Sequence, residues 1–359
     1  MLLRPLVSLA LLASTALAVP LEARQTATNG TKVGYLFTSF PVDDEAIYMH
    51  LSDGNKVVSG WKRLSRDGTA STEAILRSTV GTRGVRDSFI VPSQDGTKWW
   101  MTATDLNGNA FGNDFNAASR NGSRSMVIWE SNDLANWTGP RLTPPLVDES
   151  AGNAWAPEAN WDPLVGAYVV VFASRFFDQA TDPGHLADPI PPNRLMYVTT
   201  TDFVSFSAAR RYIDVDYPVI DATFIRNEAK GSNAWVRFVK DERDYRIYQE
   251  ESTTGLLGTW TRVGDAPLSD RITFASQYSN NEGPLCFRDN IDPSLFHLWI
   301  DENTQNRYIP ASARTLDDMK AWQADDLAAF PQRVKHGKVL ALNQEQYDAI
   351  AAKYPVVKA

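Results

Sequence analysis

The chain has 359 residues, of which 43% are hydrophobic and 22% charged, and its formal net charge is -8. This composition is typical of a globular protein long enough to bury a sizeable core. An acidic chain without a basic run lacks the concentrated positive face that nucleic-acid binding needs, so we expect no nucleic-acid partner. The only cysteine, Cys286, excludes an intrachain disulfide and a cysteine-ligated zinc cluster.

The N-terminus has the pattern of a secretory signal peptide. Residues 1–18 place Arg4 before an apolar run and end in small residues, which predicts cleavage after Ala18. The apolar run is too short to span a bilayer, and no later segment is long enough, so we expect a secreted protein without membrane association. We interpret residues 19–32 as a leader or pro-segment and residues 33–359 as one catalytic domain. Three N-glycosylation triplets fit export, and they begin at Asn29, Asn121 and Asn136.

The predicted elements begin with two strands at residues 34–40 and 46–51. A longer pattern then appears at residues 84–105, GVRDSFIVPSQDGTKWWMTATD: an acid, Asp87, an apolar strand, a tight turn and a second apolar strand. This pattern predicts an antiparallel hairpin with a carboxylate at its entry. It returns behind three later acids, and we expect all four acids to occupy the same point of their repeats. The later acids are Glu158, Asp221 and Glu282.

Each predicted hairpin is followed by a strand, a polar turn and a further strand with an aromatic residue. Units of four short strands that recur every 60 to 70 residues, roughly, predict a radial repeat fold. Counting the N-terminal strands gives about five units, so we predict an all-β, five-bladed β-propeller. Residues 334–342 (VKHGKVLAL) predict a strand that pairs with the first unit and closes the ring, and a helix capped by Asn343 follows. Two β-sandwich domains are the alternative, but no linker interrupts the chain.

The geometry of a propeller gives the four acids a common position. Residues that enter the innermost strands meet at one mouth of the central shaft, although they are far apart in sequence. Neighbouring carboxylates raise each other's pKa, so we expect at least one of the four to be protonated near neutral pH. A protonated and an ionised carboxyl group in one cleft are what glycosidic cleavage needs. The alternative is that the acids form turns or bind a structural cation.

Four motifs, in this order, resemble the signature of glycoside hydrolase family 43. They are GVRDSFI at 84–90, WAPE at 155–158, VID at 219–221 and EGP at 282–284. The resemblance extends from Gly34 to about Tyr347. It implies a five-bladed propeller, and the family includes α-L-arabinofuranosidases, β-xylosidases and arabinanases.

The resemblance also implies roles for three carboxylates. Asp87 matches the general base that holds the attacking water, and Glu282 matches the general acid. Asp221 matches the third carboxylate, which orients the acid and tunes its pKa. The implied reaction is a direct displacement that inverts configuration. Ser88 and Ala222 stand where the family usually has proline, which restricts the preceding backbone.

Sugar faces stack on aromatic rings, so we expect aromatic and polar side chains around these acids to bind substrate. Core packing between blades is the alternative for each aromatic residue. Glu158 is not among the family's catalytic carboxylates, and we assign it to holding the pocket or a substrate hydroxyl. Arg86 adjoins the base and is expected to pair with a neighbouring carboxylate. The predicted substrate-binding residues are Trp155, Glu158, Tyr278, Phe40 and Arg86.

His336 lies in the predicted closing strand. In related propellers a histidine near the axis supports a calcium ion or a water cluster, so we consider it a possible metal-site residue; the alternative is a buried, hydrogen-bonded histidine. No cofactor is required. We expect a monomeric, exo-acting α-L-arabinofuranosidase acting on plant cell-wall polysaccharide or oligosaccharide. The alternatives are a β-xylosidase or endo-arabinanase of the same fold, or a propeller that binds carbohydrate without cleaving it.

Overall fold

The computed structural model of the protein describes residues 30–68, 73–272 and 280–357. These residues form five antiparallel sheets of four strands each, arranged as the blades of a ring. The predicted five-bladed β-propeller is therefore confirmed. The described residues contain no helix with the length and apolarity to cross a membrane.

The strands follow one another from the axis outwards in each blade. The first blade has β1 (Lys32–Phe40), β2 (Tyr48–Leu51) and β3 (Lys62–Arg63), and the second has β4 (Val85–Pro92), β5 (Trp99–Asp105), β6 (Met126–Ser131) and β7 (Thr138–Leu142). The third has β8 (Trp155–Asp162), β9 (Ala167–Ser174), β10 (Arg194–Thr200) and β11 (Arg210–Arg211). The fourth has β12 (Val219–Arg226), β13 (Trp235–Asp241), β14 (Arg246–Ser252) and β15 (Thr261–Arg262). The fifth has β16 (Asn281–Arg288), β17 (Phe296–Glu302), β18 (Arg307–Ala313) and β19 (Gln323–Ala324).

The last strand, β20 (Lys335–Asn343), closes the ring. It pairs antiparallel with β1 on the axial side of the first blade, with Leu36 opposite Leu340. The predicted closure by the N- and C-terminal strands is confirmed. Of the two α-helices among the described residues, α1 (Phe115–Arg120) lies in the second blade and α2 (Gln344–Lys353) follows β20. Asn343 caps α2 as predicted, because its side chain accepts a hydrogen bond from the N–H of Gln346.

Large apolar side chains fill the spaces between neighbouring blades. Phe37 of the first blade packs edge-on against Trp299 of the fifth, with ring centroids 5.2 Å apart. Trp100 of the second blade meets Tyr168 of the third at 5.7 Å. Cys286 is buried in the core of the fifth blade, as expected for a small apolar residue. These contacts hold the axial strands in a fixed ring.

The axial strands of four blades share a β-bulge close to their first residue. At each bulge one residue has a left-handed backbone, which is unusual outside glycine. The residues are Asp87 (φ 53°), Ala156 (φ 52°), Asp221 (φ 50°) and Gly283 (φ 43°).

The bulges correct the predicted alignment of the four acids. Asp87 and Asp221 occupy the bulge itself, whereas Glu282 precedes its bulge by one residue and Glu158 follows its bulge by two. The expectation that the acids occupy one common point of the repeat is therefore wrong. The difference arises because a one-residue offset leaves the hydrophobic pattern of a short strand almost unchanged, while it redirects the side chain.

Candidate active site

A cavity of about 410 Å³ opens at the end of the axis where the inner strands begin. The three predicted catalytic carboxylates, Asp87, Asp221 and Glu282, all line it. Their side chains keep 16%, 10% and 21% of their surface accessible. Three blades that are distant in sequence therefore bring carboxylates to one space that solvent reaches.

Asp87 is held by two partners at the bulge of β4. The Thr104 hydroxyl donates a hydrogen bond to Oδ2 at 2.7 Å, and Nδ1 of His336 lies 3.2 Å from Oδ1. Burial would raise the pKa of Asp87, but the hydrogen bond and charge of His336 outweigh it and keep that pKa below its usual value. Ser88, in the place of the usual proline, donates a hydrogen bond to the Thr38 hydroxyl at 3.0 Å and so ties the bulge to the first blade. Asp87 is thus an ionised carboxylate in a fixed orientation.

His336 stands between two of the carboxylates. Its Nδ1 is 3.2 Å from Asp87 and 4.0 Å from Asp221. Burial would lower the pKa of His336, but these two carboxylates raise it to about 9. A protonated ring nitrogen has no lone pair for a metal, and the described residues contain no group of three or more His, Cys, Asp or Glu side chains that suits a metal ion. The residues therefore fit an ion pair at His336 rather than a metal ligand.

Asp221 is anchored to the strand that carries Glu282. Its Oδ2 accepts a hydrogen bond from the backbone N–H of Gly283 at 2.9 Å. Burial raises the pKa of Asp221, and the charges of His336 and Lys240 offset only part of that rise. The side chain therefore fixes the backbone directly after Glu282.

Glu282 is surrounded by cations. Its Oε1 accepts a hydrogen bond from Lys335 at 2.8 Å and its Oε2 accepts one from Lys240 at 3.2 Å. Burial would raise the pKa of Glu282, but the two ammonium groups outweigh it and lower that pKa to about 2. We expected mutual repulsion of the acids to dominate here, and at Glu282 it does not.

A further acid beside Lys335 is Asp301, which the sequence did not single out. It is fully buried, its Oδ1 lies 3.5 Å from Nζ of Lys335, and its Oδ2 accepts a hydrogen bond from the N–H of His336 at 3.0 Å. Burial raises the pKa of Asp301 to about 7 against the charge of Lys335. One signal existed in the sequence: Asp301 lies directly opposite Glu282 in the predicted hairpin.

The predicted substrate-binding residues divide between the cavity and the core. Trp155 lines the cavity and is half-buried, which leaves part of its ring available to a sugar. Arg86 lines it as well and pairs with Glu45 at 3.0 Å. Its guanidinium lies 4.8 Å from the ring centroids of both Phe40 and Phe115. Phe40 also lines the cavity, but it is only 2% exposed and Arg86 lies over its ring, so its role in stacking a sugar stays a prediction.

Glu158 is not part of the cavity lining among the described residues. It is 2% exposed, and burial raises its pKa, offset in part by the charge of Lys338 and by Thr223. Its burial outside this lining does not support a bond to a substrate hydroxyl, and the other part of its assignment, holding the pocket, stays a prediction. Tyr278 lies outside the described residues.

Residues 31–348 match a family described as a probable glycosyl hydrolase domain, related to glycoside hydrolase family 43. The chain belongs to this family. The predicted kinship with family 43 and the predicted class of activity, glycoside hydrolysis, are confirmed for this glycosyl hydrolase domain.

The domain is also similar to individual proteins. It is 34% identical over 183 residues to an alpha-L-arabinofuranosidase of Bifidobacterium longum subsp. longum, a match that covers 48% of this chain but 16% of that protein. The domain thus corresponds to a small part of that relative. Remote likenesses in structure include a thermostable family-43 glycoside hydrolase (15% identity, TM-score 0.46, 71% of this chain and 76% of that chain). Another is the catalytic domain of a GH62 alpha-L-arabinofuranosidase from Coprinopsis cinerea (11% identity, TM-score 0.46, 84% of this chain and 78% of that chain).

The cavity of this glycosyl hydrolase domain has two chemically different sides. On one side Asp87 is an ionised carboxylate bonded to an imidazolium, which suits a base. On the other side Lys335 joins Glu282 to Asp301, so a carboxylate of lowered pKa and a carboxyl group of raised pKa lie beside one ammonium. Both sides face the same space, which is the arrangement that acid–base cleavage of a glycoside requires.

Proposed function

We propose that this glycosyl hydrolase domain is a secreted, monomeric enzyme that removes terminal α-L-arabinofuranosyl units from plant cell-wall polysaccharide with inversion of configuration. The observation that carries the catalytic part is one axial cavity lined by Asp87, Asp221 and Glu282, in which Lys335 also joins Glu282 to the buried acid Asp301. The arabinofuranosyl specificity takes its support from the 34% identical relative. The signal-like residues 1–18 support secretion.

In the proposed reaction Asp87 is the general base. It takes a proton from a water molecule as the water oxygen bonds to the anomeric carbon. The bond from that carbon to the leaving oxygen breaks in the same step, and the leaving oxygen receives a proton from Glu282. A single displacement inverts the anomeric centre and forms no covalent sugar–enzyme intermediate. His336 contributes by keeping Asp87 ionised.

Glu282 must acquire its proton, because two lysines hold it ionised in the free enzyme. We assign the supply to Asp301, which keeps a proton up to about pH 7. Lys335 donates a proton to Glu282 and takes one from Asp301, so one proton moves across the pair and the ammonium keeps its charge. Asp301 and Lys335 are positioning residues in this scheme. Asp221 fixes the backbone that carries Glu282.

A propeller that binds carbohydrate without cleaving it is the second candidate. One observation favours it: Lys240 and Lys335 shift the pKa of Glu282 away from the value that a proton donor needs. A β-xylosidase or an endo-arabinanase would use the same carboxylates, so these alternatives concern the substrate and not the site.

Replacing Glu282 by Gln tests the proposal. We expect kcat on arabino-oligosaccharides to fall about 10²- to 10⁴-fold, the usual contribution of a general acid. On a nitrophenyl arabinofuranoside the loss should be much smaller, because nitrophenolate leaves without a proton. Glu242→Gln is the control, since Glu242 lines the same cavity but bonds to Asn193.

Three results would contradict the proposal. Equal losses of the Glu282→Gln variant on both substrates would remove Glu282 as the proton donor. Proton NMR of the first sugar released would exclude direct displacement if it showed retention of configuration. A wild-type protein that binds, but does not cleave, arabinofuranosides, xylosides and galactosides would leave the second candidate in place.

A further inference from the structure

A second cavity, of about 650 Å³, lies on the same end of the first blade and farther from the axis. We call it the blade-1 cavity. Three strands of that blade contribute to its lining, Ser39 from β1, His50 from β2 and Arg63 from β3, and Val334 lies just before β20. Because β20, β1, β2 and β3 follow one another outwards, the blade-1 cavity runs radially away from the axial cavity.

The two cavities share a wall. Two segments, residues 39–45 and 332–336, contribute side chains to both of them. On the first segment Phe40, Val42 and Glu45 line the axial cavity, while Ser39, Pro41, Asp43 and Asp44 line the blade-1 cavity. On the second segment Lys335 and His336 line the axial cavity, while Gln332, Arg333 and Val334 line the other. The blade-1 cavity is therefore adjacent to the axial cavity, in a position that the next or branching unit of a saccharide can reach.

One arginine of the blade-1 cavity, Arg63, forms no salt bridge within the described residues, although its charge helps to lower the pKa of Asp44 against the effect of burial. The guanidinium of Arg63 lies over the Tyr48 ring at 4.5 Å. The two other arginines are neutralised, Arg77 by Asp44 at 2.6 Å and Arg333 by Asp43. The lining thus retains one positive charge, although the whole chain has a net charge of -8.

Two buried polar atoms of the same lining also lack partners. Oγ of Ser39 and Nδ1 of His50 have no hydrogen-bond partner among the described residues, and the two residues are 1% and 7% exposed. Burial, with the charge of Arg63, lowers the pKa of His50 to about 3, so its ring is neutral. Buried polar atoms of this kind are normally satisfied by a ligand or a water molecule.

We propose that the blade-1 cavity binds a sugar acid, a uronosyl unit of the substrate. Its carboxylate pairs with Arg63, whose planar guanidinium suits a carboxylate, and its hydroxyl oxygens bond to Ser39 and His50. The choice of a sugar acid over other carboxylate ligands rests on the proposed function. If a saccharide occupies the axial cavity, its neighbouring unit can reach the blade-1 cavity, because the two cavities share a wall. The enzyme then selects polysaccharide that carries uronic acid next to the unit it removes.

Calorimetric titration of the full chain with sodium D-glucuronate tests this inference, with D-glucose and sodium acetate as comparison ligands. We expect glucuronate to bind at least tenfold more tightly than either, and 1 M NaCl to weaken it. Arg63→Gln should raise the Kd for glucuronate at least tenfold. The control Lys62→Gln, at the exposed neighbouring position of β3, should change it less than twofold. Ser39→Ala should weaken glucuronate binding severalfold without lowering the Tm.

The inference is overturned if glucuronate binds no better than glucose or acetate, or if Arg63→Gln keeps the wild-type Kd. The Asp87→Asn variant separates this test from the proposed function, because it should bind glucuronate like the wild type. A protein that binds glucuronate through Arg63 but cleaves no glycoside would support this inference and contradict the proposed function. A protein that cleaves arabinofuranosides but does not bind glucuronate would support the proposed function and overturn this inference.

Discussion

The bulges of β4 and β12 differ from those of β8 and β16 in side chain but not in backbone. All four have a residue with φ between 43° and 53°. On β4 and β12 that residue is an aspartate, Asp87 or Asp221, which reaches the axial cavity. On β8 and β16 it is Ala156 or Gly283, which brings at most a methyl group. The same backbone bulge therefore presents a carboxylate in two blades and, in the other two, leaves the space of a long side chain unfilled.

The space on the fifth blade is used by a neighbour. A Cβ atom at residue 283 would lie 2.8 Å from Cγ of His336, so only glycine lets the imidazolium approach Asp87 and Asp221. Glu282, one residue earlier, is free to pair with Lys240 and Lys335. Since the four bulges share one backbone conformation, the residue type at each bulge determines the difference between the base side and the acid side of the cavity.

The largest effect should come from removing a bulge carboxylate. Asp87→Asn keeps the shape of the side chain but not its basicity, so we expect kcat to fall about 10²- to 10⁴-fold, the range for loss of a general base. The measurement is hydrolysis of an aryl arabinofuranoside at several pH values. Asp95→Asn, in the exposed turn of the same hairpin, is the control. Activity near that of the wild type in Asp87→Asn would remove Asp87 as the base.

The next effect concerns the glycine bulge. Gly283→Ala adds a left-handed alanine and a contact of 2.8 Å with His336, so we expect a loss of about 2 kcal/mol or more in the free energy of unfolding. Gly166→Ala is the matched control, because its φ is also positive, 69°, but a Cβ there meets nothing within 4 Å. Urea unfolding of both variants measures the difference. Equal losses would show that backbone strain, and not the contact with His336, requires glycine at 283.

The sequence sufficed for the architecture but not for the register. Repeat spacing and the strand at residues 334–342 predicted the propeller and its closure, because both depend on hydrophobic patterns that span many residues. The sequence analysis also predicted correctly that Asp87, Asp221 and Glu282 meet at one opening of the axis. It misplaced Glu158, because a bulge shifts one residue and leaves no mark on an apolar run.

The charge network around Glu282 was missed for a related reason. Lys240 and Lys335 come from β13 and β20 and meet Glu282 only through the ring, so no local pattern indicates them, whereas Asp301 lies opposite Glu282 in the same hairpin. Their effect on the pKa of Glu282 depends on distances of about 3 Å that pairing between strands sets.

His336 joins the two aspartate bulges, and its titration should appear in the pH dependence of stability. Its pKa is about 9 in the folded state and 6.5 as the ordinary value. The folded state therefore binds more protons at His336 between these values, so the contribution of His336 to stability is full below pH 6.5 and is lost as the pH rises through 9. Urea unfolding at pH 6, 7.5 and 9 should show this decline, and His336→Asn should flatten it. His50→Asn is the control, because the pKa of His50 is about 3 and its removal leaves this pH window unchanged.

The smallest effect should come from the alanine bulge. Ala156→Gly relieves a left-handed alanine, which favours the variant by about 1 kcal/mol, but glycine increases the entropy of the unfolded chain and loses a buried methyl group. These terms oppose each other, so the free energy of unfolding should change by no more than about 1 kcal/mol. The N–H of residue 156 still donates to the Thr104 hydroxyl, which holds Asp87. A loss above about 2 kcal/mol would mean that the methyl group itself supports the third blade, and the four bulges would then not be equivalent in backbone demand.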